Sequence, residues 1–130
     1  MNVRFNSMPV TPGFETIYSD AVEVPADSRI LTVSGQIGRR ADGSVPASFE
    51  EQFRLAIANL EAVLAVTGMA IADIVKLTFY LTRAADLETL GKVRRELLAV
   101  APAVTTLVIS GLAAPNLLVE VEAIAARLAR

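Results

Sequence analysis

The sequence predicts an α+β fold in which a six-stranded mixed sheet carries two helices on one face. Residues 29–38 and 74–81 alternate apolar and polar side chains with period two, which is typical of strands with one buried face. Residues 48–68 carry apolar side chains at helical spacing, and residues 86–98 do so again. Two helices interleaved with strands in this order can cover one face of a sheet.

The strands before the first helix are predicted from the positions of proline and glycine and from the alternation of apolar and polar side chains. Residues 1–15 contain two prolines and a glycine, at Pro9, Pro12 and Gly13, and should be irregular or lie at a sheet edge. A short strand is expected over residues 18–24. The strand over residues 29–38 should carry on one face Leu31, Val33, Gly35 and Ile37.

The helices are predicted from their ends as well as from their apolar stripes. Ser48 and Glu51 form a Ser-x-x-Glu capping pattern, and Gly68 is a natural stop for the first helix. Asp86 is a candidate cap for the second helix, which should end before Pro102. The last two strands are expected over residues 105–110 and 118–125.

Composition limits both the class of protein and its chemistry. The 130 residues suit one domain, are 53% hydrophobic and carry a formal net charge of −2. The mean hydropathy is +0.49, yet no apolar run is long enough to span a membrane and the first residues lack a signal-peptide run. These features favour a self-associating soluble protein over a membrane protein, and a cytoplasmic location is the default expectation. The chain has no cysteine and no histidine and shows no basic run, which argues against thiolate chemistry, histidine catalysis and nucleic-acid binding.

Several separated motifs resemble one family. They are Ser34-Gly35-Gln36, Asn59-Leu60 within the first helix, Val75-Lys76 with Thr78 and Tyr80-Leu81, and residues 120–125, which read Glu-Val-Glu-Ala-Ile-Ala. Together, in this order and over residues 16–127, they resemble the Rid (reactive intermediate deaminase, YjgF-like) family. The resemblance implies one Rid-like domain over residues 1–130, with a chorismate mutase-like fold.

The resemblance also implies an assembly and an activity. Family members form homotrimers in which three sheets build a barrel-like centre, with clefts for a small ligand between subunits. Their deaminases hydrolyse enamines and imines to 2-keto acids and ammonia, and need neither a metal nor an organic cofactor.

Three residues match family positions near the cleft. Glu120 matches a glutamate that orients or activates water, and a partly desolvated carboxyl group is suited to that role. Tyr18 matches a tyrosine at the cleft mouth, and Ser34 matches a cleft serine. For each of them the alternative is structural: a solvated or arginine-paired carboxylate, a packed ring and a strand hydroxyl.

The segment after Pro102 departs from the family pattern. Family deaminases carry there an arginine that grips the substrate carboxylate with two parallel hydrogen bonds. This chain has Val104 instead, followed by Thr105 and Thr106, whose hydroxyls and backbone amides could bind a neutral or smaller ligand. Gly91 stands where the family often has a cleft asparagine.

Two functions remain open. One is an enamine or imine hydrolase whose substrate range is altered by Val104. The alternative is a non-catalytic, small-molecule-binding or regulatory trimer. A ribonuclease or translation inhibitor is disfavoured, because the chain has neither histidine nor a basic patch.

Overall fold

The computed structural model describes residues 1–7, 14 and 16–129, so the expectation for Pro9, Pro12 and Gly13 lies outside it. The strands in the described residues are β1 (Val3–Phe5), β2 (Ala21–Glu23), β3 (Ser28–Ile37), β4 (Ile74–Leu81), β5 (Ala103–Val108) and β6 (Val119–Leu128). The helices are α1 (Phe49–Val66) and α2 (Leu87–Leu97). The α+β class is thereby confirmed.

The strands do not form a single six-stranded sheet, which corrects that part of the prediction. Strands β3, β6, β4 and β5 form a four-stranded sheet in that order, with β4 and β5 parallel and the other pairs antiparallel. Strands β1 and β2 form a separate antiparallel ribbon. Pro25, in the turn before β3, interrupts the ladder because it has no N–H, and the three-residue strands have no buried face to align them with the sheet.

Helix α1 forms where the sequence predicts it. The Ser48 hydroxyl accepts a hydrogen bond from the Glu51 backbone N–H at 3.2 Å, which caps the first turn. Gly68 has φ +74°, a left-handed conformation that favours glycine and ends the helix. The buried stripe of α1 consists of Phe49, Gln52, Phe53, Ala56, Ile57, Leu60 and Leu64.

Helix α2 begins after Asp86, but this residue does not cap it. The Asp86 side chain makes no capping hydrogen bond and instead accepts two bonds from the Arg83 guanidinium, at 2.8 and 3.1 Å. Because Asp86 already has a helical backbone conformation, with φ −87° and ψ −6°, its carboxylate is not in the extended geometry that a cap requires.

Both helices cover the same face of the four-stranded sheet, as expected. Leu77, Phe79 and Leu81 of β4 lie in one core with residues of α1 and α2, among them Phe53 and Val93. The opposite face, called here the open face, carries exposed apolar and polar side chains at Ile30, Thr32, Leu107 and Ile124. Within the described residues, no helix is long and apolar enough to cross a membrane.

Candidate functional site

A bulge in β3 changes which side chains reach the open face. Val33 pairs with Ala123 and Gln36 pairs with Val121, so Ser34 and Gly35 together face a single residue of β6. The predicted alternation therefore reverses after the bulge, and Ile37 pairs with Glu120 on the open face instead of continuing the core face. The sequence signal for this reversal is the glycine, which is common at bulges.

Gly35 makes room for the carboxylate of Glu120. A Cβ atom built on Gly35 would lie 2.0 Å from Glu120 Oε2 and 2.8 Å from Glu120 Cγ. Real Cβ atoms do not approach other atoms so closely, so any side chain at position 35 would force Glu120 to move. The bulge and the glycine together determine where this carboxylate lies.

Tyr80 and Glu122 flank Glu120 on the open face. Tyr80 pairs with Glu120 across β4 and β6, and its hydroxyl donates a short hydrogen bond to Glu122 Oε1. This hydrogen bond, then desolvation and the negative charges of Glu122 and Glu120, raise the pKa of Tyr80. Tyr80 is therefore a neutral donor at neutral pH. We call Tyr80, Glu120 and Glu122 the carboxylate cluster.

Two other residues singled out from the sequence also lie on the open face. Thr105 accepts a hydrogen bond from the Lys76 ammonium at 2.7 Å, and Lys76 pairs with Ile124 of β6. Ser34 is exposed beside Gly35 in the bulge. Neither Tyr80 nor Lys76 was among the predicted site residues, although period-two alternation already assigned both to this face.

The remaining candidates lie on the helix side of the sheet. Gly91 and Thr106 line an open groove of about 660 Å³ between α2 and β5, together with Phe14, Ile17, Leu90 and Arg94. We call this the helix-side groove. Val104 pairs with Leu77 and packs against the hydrophobic core, so its methyl groups contribute to the core beside the groove.

Tyr18 reaches the helix-side groove only through a neighbour. Its ring packs edge-on against Phe14, with 6.5 Å between the centroids, and Phe14 lines the groove. The next residue, Ser19, bridges to Ala103 at the start of β5, and its hydroxyl donates to Ala101 O at 2.6 Å. These bonds hold the Tyr18 segment against β5.

Within one chain, the predicted site residues thus form two groups separated by the sheet. Ser34, Thr105 and Glu120 lie on the open face, whereas Gly91 and Thr106 line the helix-side groove. Arg94, whose role the sequence leaves open, is buried at this groove and lies over the Phe79 ring, with 5.1 Å from Cζ to the ring centroid. Among the described residues, no cluster of three or more histidine, cysteine, aspartate or glutamate side chains could hold a metal ion.

Replacing Gly91 with alanine is expected to raise the free energy of unfolding by about 1 kcal/mol. Glycine in the interior of a helix costs roughly that much relative to alanine, and a Cβ atom on Gly91 would meet nothing within 4 Å. Denaturant unfolding at fixed protein concentration measures the change. Gly68→Ala is the matched control and should lower the free energy by a similar amount, because φ is +74° there. A loss of stability in Gly91→Ala would mean that the space above Gly91 is needed by another group.

This fold defines a class: a small α+β protein with a four-stranded mixed sheet, two helices on one face and a ligand-sized groove beside the second helix. The model of the Endoribonuclease L-PSP family matches residues 9–127. The chain belongs to this family, which is also the Rid/YjgF family to which the sequence motifs are similar.

Known relatives support the same assignment. Protein mmf2 of Schizosaccharomyces pombe, described as mitochondrial, is 32% identical over 112 residues, which cover 84% of this chain and 86% of mmf2. The RutC family protein YjgH of Escherichia coli is 38% identical over 74 residues, 56% of each chain. TdcF of Escherichia coli, which carries the provisional name of a reactive intermediate deaminase, is 32% identical over 54 residues, 42% of each chain. The matches to these two Escherichia coli relatives thus span only about half of their length.

Solved structures agree over nearly the whole chain. YyfB of Yersinia pestis, a Rid-family protein of unknown function, has a TM-score of 0.84 and 28% identity, covering 95% of this chain and 97% of its own. YjgH has a TM-score of 0.72 and 31% identity, covering 98% and 96%. RidA from an Antarctic Psychrobacter species has a TM-score of 0.70 and 27% identity, covering 90% and 91%.

Proposed function

We propose that this protein is an enamine or imine hydrolase that forms a homotrimer and binds a small ligand in clefts between subunits. The observation that carries the proposal is the position of Glu120, whose carboxylate lies over Gly35 and next to the neutral donor Tyr80. The family membership and the deaminase name of TdcF support it. A single domain over residues 1–130 and a cytoplasmic location are parts of the same proposal.

The chemistry needs a group that moves protons near the C=N carbon. Water adds to this carbon, and Glu120 accepts the proton that the attacking water releases. Protonated Glu120 returns this proton to the imine nitrogen, which gives a neutral carbinolamine. Glu120 then takes the proton of the carbinolamine hydroxyl and passes it to nitrogen while the C–N bond breaks and the C=O bond forms. Ammonia leaves, a carbonyl product remains, and Glu120 is again a carboxylate. No metal or organic cofactor takes part in this sequence of steps.

The exposed apolar side chains of the open face support self-association. Ile30 is 64% exposed, Leu107 is 44% exposed and Ile124 is 38% exposed, and all three lie on the face that the helices leave uncovered. Apolar groups on an uncovered sheet face are stabilised when another surface excludes water from them. A second copy of the same face is the proposed partner.

The substrate range follows from Val104. Valine offers no hydrogen-bond donor and no charge, and Val104 packs against the core rather than extending into solvent. We therefore propose that 2-imino acids, held in the family by an arginine at this position, are poor substrates. The same observation favours a second candidate function, a trimer that binds a small molecule without catalysis.

A coupled assay on wild type and Val104→Arg tests the hydrolase. An amino-acid oxidase generates a 2-imino acid in the presence of semicarbazide, and a loss of semicarbazone reports hydrolysis. We expect wild type to be slow and the variant to gain about 10- to 100-fold in kcat/KM, because charge-assisted hydrogen bonds contribute about 1.5–3 kcal/mol.

Val104→Met is the matched control, since methionine adds length without charge and should gain nothing. Thermal unfolding establishes that all three proteins are folded. If wild type hydrolyses 2-imino acids as fast as Val104→Arg, the interpretation of Val104 is wrong. If neither protein hydrolyses imines with or without a carboxylate, the non-catalytic alternative replaces the hydrolase.

A further inference from the structure

The guanidinium of Arg94 is buried but keeps hydrogen-bond donors that no described residue uses. Arg94 is 8% exposed, and its Nη2 donates to the Ile17 carbonyl oxygen at 2.5 Å. Its Nε is buried and has no hydrogen-bond partner among residues 1–7, 14 and 16–129. A buried donor without an acceptor costs free energy, and an acceptor that entered the groove would remove this cost.

No carboxylate of the described residues neutralises Arg94. The salt bridges in that part of the chain use other arginines, namely Arg40, Arg54, Arg83 and Arg127. Burial, followed by repulsion from Arg95, lowers the pKa of Arg94 to about 10, which still leaves it protonated at neutral pH. A buried positive charge therefore lies at the helix-side groove.

The position of this charge follows from the strand register. The guanidinium lies over the ring of Phe79, and Phe79 pairs with Thr106 across β4 and β5. Arg94 and Thr106 both line the helix-side groove. Thr106 is two residues beyond Val104, about 6–7 Å along the strand.

Charges at the rim of the groove favour an anion as well. Lys92 and Arg95 line it together with Glu88 and Glu96, but the Glu96 carboxylate already accepts a hydrogen bond from Arg54 at 2.7 Å. With Arg94 included, the positive side chains outnumber the negative ones. Ile17, Leu87 and Leu90 supply an apolar wall beside them.

We propose that the helix-side groove is an anion subsite in which Arg94 binds the carboxylate of a small organic acid with a short apolar body. The carboxylate would lie further along β5 than position 104. Because Thr106 lies about 6–7 Å beyond position 104 along β5, this subsite would hold an acid whose carboxylate is further from the reacting carbon than in a 2-imino acid. The expectation that 2-imino acids are poor substrates is therefore unchanged. This inference deepens the proposed function, because it names a substrate class for the same protein. It rests on the proposed function for the nature of the ligand.

Calorimetric titration with an unreactive acid tests the subsite. The probe is 4-methylpentanoate, and its uncharged counterpart 4-methylpentanamide reports the contribution of the apolar body alone. We expect wild type to bind the acid at least 10-fold more tightly than the amide, and Arg94→Met to lose about 10- to 100-fold in affinity for the acid only. Arg29→Met is the matched control and should retain the affinity, since Arg29 does not line the groove and donates to Thr67 O at 3.2 Å.

A second measurement uses wild type alone, so it does not depend on whether a variant folds. The Nε–H resonance of Arg94 in the nuclear magnetic resonance spectrum of wild type should shift when 4-methylpentanoate is added, and should stay in place with the amide. Arg94 has no carboxylate partner among the described residues, so replacing it with an apolar side chain removes the cost of burying a charge, and we expect Arg94→Met to be folded. If 4-methylpentanoate leaves this resonance unchanged, the proposal is overturned.

Glu15, which lies outside the described residues, provides the competing explanation. If Glu15→Gln binds the acid and wild type does not, Arg94 pairs with its own chain and the proposal is overturned. Equal affinity for acid and amide also overturns it. Acid binding without imine hydrolysis would contradict the proposed enzyme alone, whereas hydrolysis without acid binding would contradict the anion subsite alone.

Discussion

Replacing Gln52 with leucine is expected to lower the free energy of unfolding by about 3–5 kcal/mol. The Gln52 side chain is completely buried, and its Nε2 donates to Pro46 O and Asn116 O, both at 2.9 Å. Its Oε1 accepts from the Leu118 backbone N–H at 2.9 Å. Leucine would fill a similar volume but leave two carbonyls and one N–H without partners, at about 1–3 kcal/mol for each fully buried group.

The matched control for this prediction is Gln36→Leu. Gln36 makes one side-chain hydrogen bond, at 3.0 Å to the nearby Ser34 carbonyl oxygen, and the same substitution there should cost less than about 1 kcal/mol. Urea unfolding at several protein concentrations separates folding from subunit association. A cost below about 1 kcal/mol for Gln52→Leu would contradict the view that this amide joins α1 to the segments before α1 and β6.

Replacing Glu120 with glutamine is expected to lower kcat about 10²- to 10⁴-fold, the usual contribution of a positioned general base. Glutamine keeps the size and hydrogen-bonding atoms of the side chain but cannot accept the proton of the attacking water. The assay uses wild type or Val104→Arg, whichever hydrolyses the chosen imine faster. Glu61→Gln, which removes an exposed carboxylate from α1 outside the helix-side groove, should leave kcat unchanged.

Gly35→Ala provides a separate test of the same carboxylate. The added Cβ would lie 2.0 Å from Glu120 Oε2, so Glu120 must rotate away while its charge is kept. We expect kcat to fall in Gly35→Ala as well, with the thermal unfolding temperature as a check on the fold. Full activity in Glu120→Gln would remove Glu120 from the mechanism, whatever the behaviour of Gly35→Ala.

The secondary structure could largely be predicted because its signals are local. Helix α1 is capped by Ser48 and ends before Gly68 as the sequence indicates, and β4 has the predicted bounds Ile74–Leu81. Boundaries were less accurate where the signal is weak: the strand expected over residues 105–110 is Ala103–Val108. Residues 105–110 read Thr-Thr-Leu-Val-Ile-Ser and do not alternate polar and apolar side chains, so periodicity cannot set the ends of this strand.

The geometry around the carboxylate cluster depends on pairing between distant segments. The sequence predicts an uninterrupted strand over residues 29–38, and only the pairing of β3 with β6 shows that Ser34 and Gly35 form a bulge and that Glu120 lies over the glycine. Likewise, Tyr80 and Glu122 are 42 residues apart and meet because β4 and β6 are neighbours. Such contacts cannot be read from spacing along the chain.

Arg94 shows most clearly which features follow from the local sequence and which depend on tertiary packing. Its place on the second helix follows from the local apolar pattern, and the absence of a cationic side chain at Val104 follows from the motif after Pro102. That Arg94 is buried over Phe79, beside Thr106 and with an unused Nε donor, depends on how α2 packs against the sheet. Family, fold class and element order are encoded in local patterns, because caps, turns and periodicity act over a few residues. Burial, charge pairing and the shape of a groove arise only from long-range packing, so they required the tertiary structure.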